Sequence, residues 1–419
     1  MREVVEVDGA RAGWTGDAIQ RAVERCASAG GGMVRVRAGV YRLRSAVRLR
    51  SGVALVGEPG AVLLREPSIE RPIADYLGYG LREFTVTDPS GLEPGMGVHL
   101  TDDGAGGFYD TVANIVRRDG NRFTLDRPLN HDYSPRARGR VATLFPVVEG
   151  VGIERARVER LVLDGNPDET RVLNGCRGGG LFLLGCRDVR VTGLEVRHFR
   201  GDGISFQQCC DVRVVGCDVH HCSGAGLHPG SGSVRYVFQG NRSHRNGGCG
   251  LFYCLRTTHS LCAGNRFEEN GDAGISIGEL DTDHRIAGNT VRGNGSGIHF
   301  RTPLAHGGDR VIVESNTIGP NGGPAEIVLT ERLRDVCVRG NHFSGGERPA
   351  LRVGPGCERI AFEANTVAGR EQRAEDVAGD AAAIGGWRDI AVGPAALPLD
   401  GARHLGVAKL PRWEEAPAS

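Results

Sequence analysis

The chain has 419 residues, with 51 Lys and Arg against 51 Asp and Glu, 40% apolar and 5% aromatic residues. That balance excludes the broad cationic field of a nucleic-acid or anionic-membrane binder, so neither partner is expected. The length allows two or three domains, but 65 glycines and few aromatics suit one solenoid with thin inward ladders and many turns.

In chain order, Thr15-Gly16-Asp17-Ala18-Ile19-Gln20-Arg21-Ala22-Val23 reads as an amphipathic helix with Thr15 as its N-cap. Short runs between glycines follow: Gly32-Met33-Val34-Arg35-Val36, Gly39-Val40-Tyr41 and Val53-Ala54-Leu55-Val56-Gly57. A helix here covers the end of a stack, where strand edges and apolar core would otherwise be open. Residues 1–65 are therefore read as a cap helix with the first coils.

Residues 66–148 break the rhythm. Phe84-Thr85-Val86, Val98-His99-Leu100 and Phe123-Thr124-Leu125 read as strands around the turns Pro94-Gly95 and Asp119-Gly120-Asn121. They form a small β insertion, either walling a groove or decorating the surface, and Asp102, Asp103, Tyr109 and Asp110 lie within it.

From 149 to 370 one pattern returns. Gly180, Gly203, Gly226, Gly250, Gly274 and Gly297 each open a four-residue run such as Gly203-Ile204-Ser205-Phe206, at steps of 23 or 24 residues. Asn241, Asn265 and Asn289 recur at intervals of 24, with looser copies at Asn316, Asn341 and Asn365. A fixed period means stacked units, and period-two alternation without helical stretches makes those units short strands. The architecture expected is a parallel β-helix, its coils ~4.8 Å apart and its asparagines hydrogen-bonded along the stack. Residues 371–419 are read as a C-terminal cap and irregular tail.

The order helix, Gly-rich strand, Gly-x-Tyr turn over residues 14–65 resembles the N-terminal cap of the pectin-lyase-like superfamily. Within it the chain most resembles bacterial right-handed parallel β-helix repeat proteins. The resemblance implies an all-β fold: a single-stranded right-handed parallel β-helix with an N-terminal capping helix and the insertion. Because the superfamily holds pectate lyases, polygalacturonases, alginate lyases, mannuronan epimerases and phage tailspikes, it also implies a carbohydrate-active enzyme. An oligo- or polysaccharide, or another polyhydroxylated molecule, is then the expected partner. Asp202, Gly274-Ile275-Ser276-Ile277-Gly278 and His299-Phe300-Arg301 resemble parts of the polygalacturonase series, without its Asp pair or Gly-His-Gly. His228-Pro229 reverses the end of the Asp-Pro-His of alginate-type epimerases. No catalytic set transfers whole.

Read from the residues, the position after each repeat Gly points inward and the next outward. Ser205, His228, Phe252, Ser276 and His299 then form an outer stripe, continued by Gln207, Gly230, Cys254, Gly278 and Arg301. Glu279, Asp281 and Asp283 crowd one turn, where mutual repulsion is expected to raise one pKa for general acid work. His228 lies in a strand cut by Pro229 and Gly230, which suits close approach of a ligand. Asp281, Asp283, Glu279 and His228 are thus the catalytic candidates. Arg256, Arg301, His299, Gln207, Gln208, Asp202 and Tyr253 are the substrate-binding candidates. His198, His220, His221 and His244 also stack, near Cys222, Glu268 and Glu269, but no Cys-x-x-Cys or His-x-x-x-His spacing accompanies them. Ordinary stacking without a metal is expected there.

Three readings result. The first is a glycoside hydrolase or intramolecular glycosyl transferase using the acidic turn. The second is a uronate-specific lyase or C5-epimerase, with His228 or an Arg taking the proton and Ca²⁺ on the carboxylates; otherwise no cofactor is expected. The third is a small-molecule isomerase or cyclase, or a scaffold without chemistry. Twelve cysteines on repeat positions suit a buried thiol ladder in a reducing compartment. With a polar opening that lacks an apolar leader, they place the protein in the cytoplasm, or outside the cell if a leader was removed. A homo-oligomer is left open.

Overall fold

The computed structural model describes residues 3–173, 177–304, 307–345, 347–386, 388 and 392–396. Three long sheets run along it, of 12, 12 and 11 strands. The first runs from Glu3–Val7 to Glu358–Glu363, the second from Gly39–Leu43 to Arg370–Glu371, and the third from Val47–Arg48 to Val377–Gly379. From Val148 to Val367 each full coil lends one strand to each sheet. Pairing within them is parallel until Arg370–Glu371, which folds back antiparallel on Thr366–Val367. The coils therefore outlast the expected end near 370, since Val377–Gly379 still adds in register to Leu351–Val353. Of the tail, residues 397–419 lie outside the described residues.

Alternation does the packing. Leu181, Ile204, Leu227, Leu251, Ile275, Ile298 and Ile327 stack down the inside of the third sheet, all fully buried. They belong to one core that extends through all three sheets. Burying each such side chain stabilises by about 1.5–3 kcal/mol, an upper estimate against a compact unfolded chain. The turns carry the polar counterpart. The backbone N–H of Asn241 donates to Asn265 Oδ1, Asn265 to Asn289, Asn289 to Asn316, Asn316 to Asn341 and Asn341 to Asn365, at 2.8–3.0 Å. Gly240, Gly264, Gly288 and Gly340, each just before a ladder Asn, turn the chain at φ 61–64°, a region that a side chain would strain.

A second ladder escaped the reading of the sequence. Asn246, Asn270, Asn294 and Asn321 bond from coil to coil at 3.0–3.2 Å, five residues behind the first set. Its last step, Asn294 to Asn321, spans 27 residues against 24 for the two before it.

Helix Gly16–Ser28 buries Ala18, Ile19, Ala22, Val23 and Cys26 in the same core as Val34, Leu43 and Val47. Thr15 occupies the N-cap position but its side chain makes no capping bond, contrary to expectation. The insertion is a six-stranded antiparallel sheet between Glu70–Pro72 and Arg140–Ala142, around a separate core that includes Phe84, Leu100, Ile115, Phe123 and Tyr133. It sits against the outer face of the third sheet's first strands, where Arg127 reaches Glu149 at 3.2 Å and Asp126 reaches Arg48 at 2.9 Å. The acidic residues singled out in its sequence are spent internally. Asp102 takes the N–H groups of Gly104, Ala105 and Ser134, Asp103 pairs with Arg138, and Asp110 takes Thr101 and His99.

No disulfide joins the eleven described cysteines, and only Cys254 among them is more than slightly exposed. Cys176 lies outside the described residues.

Candidate functional site

The outer face of the third sheet carries the predicted stripe in register: Ser205 opposite His228, Phe252 opposite Ser276, Ser276 opposite His299. Its centre is His228. The strand Leu227–Gly230 projects this ring outward, and Asp202 meets it from the turn one coil earlier. Asp202 Oδ1 accepts the Ala225 N–H at 2.9 Å, and Oδ2 lies 2.5 Å from His228 Nδ1. The carboxylate thereby holds the proton on Nδ1 and fixes the ring's orientation. The other nitrogen, Nε2, is buried, and the Cys254 side chain of the next coil acts on the ring from that side. Burial pushes the His228 pKa down, but Asp202 and then Cys254 outweigh it and lift it to about 10. The ring is thus an imidazolium at neutral pH. Cys254 stands on the next coil, bridged to Gly230 at the 24-residue repeat step.

Two cations bracket one aromatic ring. The edge of Phe252 meets His228 at 5.2 Å between ring centres, and Arg301 lies over Phe252 at 4.2 Å. Arg301 is tethered by Ser276 Oγ at 2.6 Å and the Tyr253 carbonyl at 2.8 Å, with its side chain 29% exposed. His299 continues the row half-buried; burial lowers its pKa against the pull of Asp272.

Gly230 is small for a reason within the fold rather than for a ligand. A Cβ there would meet Gln207 Oε1 at 2.5 Å, so the buried Gln207 side chain occupies the space expected for substrate. Gln207 donates to Ser205 Oγ at 3.3 Å, and its Oε1 is left without a partner. Gln208 turns away at φ 52°, half-buried, and Arg256 is exposed at the rim.

The acidic turn does not converge. Asp281 is fully buried: Oδ1 takes the Thr257 N–H and hydroxyl at 2.9 and 2.8 Å, and Oδ2 takes the Gly278 N–H at 2.8 Å. Its pKa is raised, as a crowded acid should be, but by burial rather than by its neighbours' charge. Asp283 gives its oxygens to Arg310 at 2.8 and 2.7 Å; although burial works the other way, that pairing lowers its pKa. The expectation of a catalytic acid at Asp281 or Asp283 is corrected accordingly, because hydrogen-bond donors already fill the positions a substrate proton or Ca²⁺ would need. Glu279, half-buried, accepts the Leu304 N–H at 2.6 Å. Tyr253 is also corrected. Alternation turns it inward, fully buried, with its ring 4.3 Å from His284 and its hydroxyl bonded to Ser260. Asp281→Asn is expected to destabilise by about 1–3 kcal/mol, since the amide cannot accept all three bonds. A lowered urea midpoint with turnover per folded molecule unchanged checks it.

The second histidine set lies on the second sheet, away from this face. His220 and His244 occupy equivalent positions in strands Asp218–His220 and Arg242–His244, with ring centres 5.0 Å apart. Burial lowers the pKa of both.

With this geometry described, likeness to known proteins can be stated. Residues 169–303 match the family model described as "Right handed beta helix region". The fold is a right-handed parallel β-helix. The β-helix is similar to the A-module of the Azotobacter vinelandii mannuronan C-5 epimerase AlgE4, with 18% identity, 87% of this chain and 92% of that one covered, and a TM-score of 0.56. It is similar also to the AlgE6 A-module of the same organism, at 17% identity, 87% and 93% coverage, and a TM-score of 0.55. At such identities the likeness is one of fold. No curated protein sequence matches the β-helix. Among its described residues no helix is long and apolar enough to cross a membrane.

Proposed function

We propose that this β-helix acts on a uronate-containing oligo- or polysaccharide by moving a proton at the carbon beside the carboxylate, as a C5-epimerase or β-eliminating lyase. The observation that carries the reading is the buried Asp202–His228 pair, set beside Phe252 with the Arg301 guanidinium over the same ring. Two cations flanking Phe252 suit an anionic sugar better than a neutral one. Arg301 neutralises the carboxylate, so that charge developing on it during proton loss is stabilised. His299, neutral because burial lowers its pKa, takes the proton from C5, and the His228 imidazolium supplies one, to the opposite face of that carbon in epimerisation or to the departing O4 in elimination. The fold shared with two mannuronan C-5 epimerase modules supports the choice of substrate class. Hydrolysis through the 279–283 turn is the weaker reading, because Asp281 and Asp283 are already bonded.

The test offers polymannuronate, polygalacturonate and neutral glycans to the full chain, with and without Ca²⁺. Unsaturated-product absorbance is followed, together with deuterium uptake at C5 by NMR. Uptake or absorbance on uronates alone is expected. New reducing ends without either signal would overturn the proposal and return hydrolysis. Arg301→Ala should raise KM for the uronate about tenfold or more, with a smaller change in kcat, since a cation that holds the ground state as well is being removed.

A further inference from the structure

Away from the third sheet's outer face, the second sheet brings three metal-ligating side chains together. Asp218 and His220 lie two residues apart on one strand and so face the same way, and His244 is the coil-to-coil partner of His220. One ligand atom from each lies within 4.8 Å of the others. Bonds of about 2.0–2.1 Å to a tetrahedral zinc would set such atoms about 3.4 Å apart, within reach of small side-chain rotations.

Two further observations point to a ligand. His244 is 6% exposed; its Nε2 meets Asp218 Oδ1 at 3.0 Å, yet its buried Nδ1 has no partner in the protein. Imidazole nitrogens also face one another, with His221 Nδ1 2.7 Å from His220 Nδ1. His221 reaches that position because its backbone turns at φ 55° directly after the strand. A cation held through Nε2, in place of its bond to Asp218, puts the ring's proton on Nδ1, the tautomer of a metal-bound imidazole. One coil earlier, His198 holds the place equivalent to His221 but gives its Nδ1 to Asp164 at 3.1 Å, which leaves it outside the set.

We propose that Asp218, His220 and His244, with His221 beside them as a fourth donor, bind a divalent transition metal of the zinc class and clamp successive coils of the second sheet. Imidazole and carboxylate donors select zinc or cobalt over calcium, which takes oxygen ligands. The site is separate from the proposed chemistry at His228.

The experiment uses the untagged full chain stripped with a chelator and titrated with Zn²⁺ and with Co²⁺. One Zn²⁺ per chain by calorimetry, a tetrahedral Co²⁺ visible spectrum and a raised Tm on Zn²⁺ addition are expected. Asp218→Asn and His220→Gln, at half-buried positions where folding is retained, should each weaken binding about tenfold or more and abolish the Tm response. His198→Ala should bind as the wild type does. No binding by the wild type overturns the proposal, as does equal affinity in Asp218→Asn and His220→Gln with their circular dichroism intact.

Discussion

Asp202→Asn is expected to lower turnover by roughly a hundred- to ten-thousandfold, the usual range for losing a positioned proton-transfer group. The change is nearly isosteric, yet it removes the charge that keeps His228 protonated. In the wild type Asp202 and Cys254 overcome burial and hold the ring charged to about pH 10. The limb of kcat/KM that reports loss of the acid should therefore fall near pH 10. In Asp202→Asn burial acts with little opposition, so that limb moves below the ordinary histidine value of about 6.5. Stability follows the same sign. His228 has a raised pKa when folded, so its contribution is complete below about pH 6.5 and is lost as pH climbs towards 10. A pH–rate profile of the two proteins on a uronate checks the argument. Coincident profiles would remove His228 from the chemistry.

The second large effect is on stability. Asn289→Ala is expected to cost roughly 3–5 kcal/mol, a large part of a domain's usual 5–15 kcal/mol. Asn289 Oδ1 accepts both the backbone N–H and the side-chain amide of Asn265, at 2.8 and 2.9 Å. Its own amide donates to the Cys262 carbonyl and to Asn316 Oδ1, each at 2.9 Å. Alanine leaves two buried donors of Asn265 without this acceptor, in a site 1% exposed where water has no access. Asn270→Ala should behave alike, since the second ladder has the same bonds. Urea midpoints for both variants test this, and unchanged midpoints would show that the ladders are dispensable.

These two predictions rest on features of different visibility. The asparagine ladder from 241 to 365 could be read directly, because equal spacing in a solenoid puts equivalent residues in contact. His228 was legible for a weaker reason, an outward position in a broken strand. That Asp202 would be its partner was not, because the turn between them decides how far Asp202 reaches. Cys254 carried a usable signal in its 24-residue offset from Gly230. The acidic turn misled because proximity in sequence was taken for convergence. Asp281 folds under its turn to take Thr257 and Gly278, while Asp283 leaves the other way to Arg310.

Periodicity and alternation are local properties, and from them the sequence by itself determined the stacked coils, the inward ladders and the stripe of residues facing out. Only the tertiary structure decided which outward residues remain available. A carboxylate's chemistry depends on which donors surround it, and most of those donors come from neighbouring coils, 23–27 residues away.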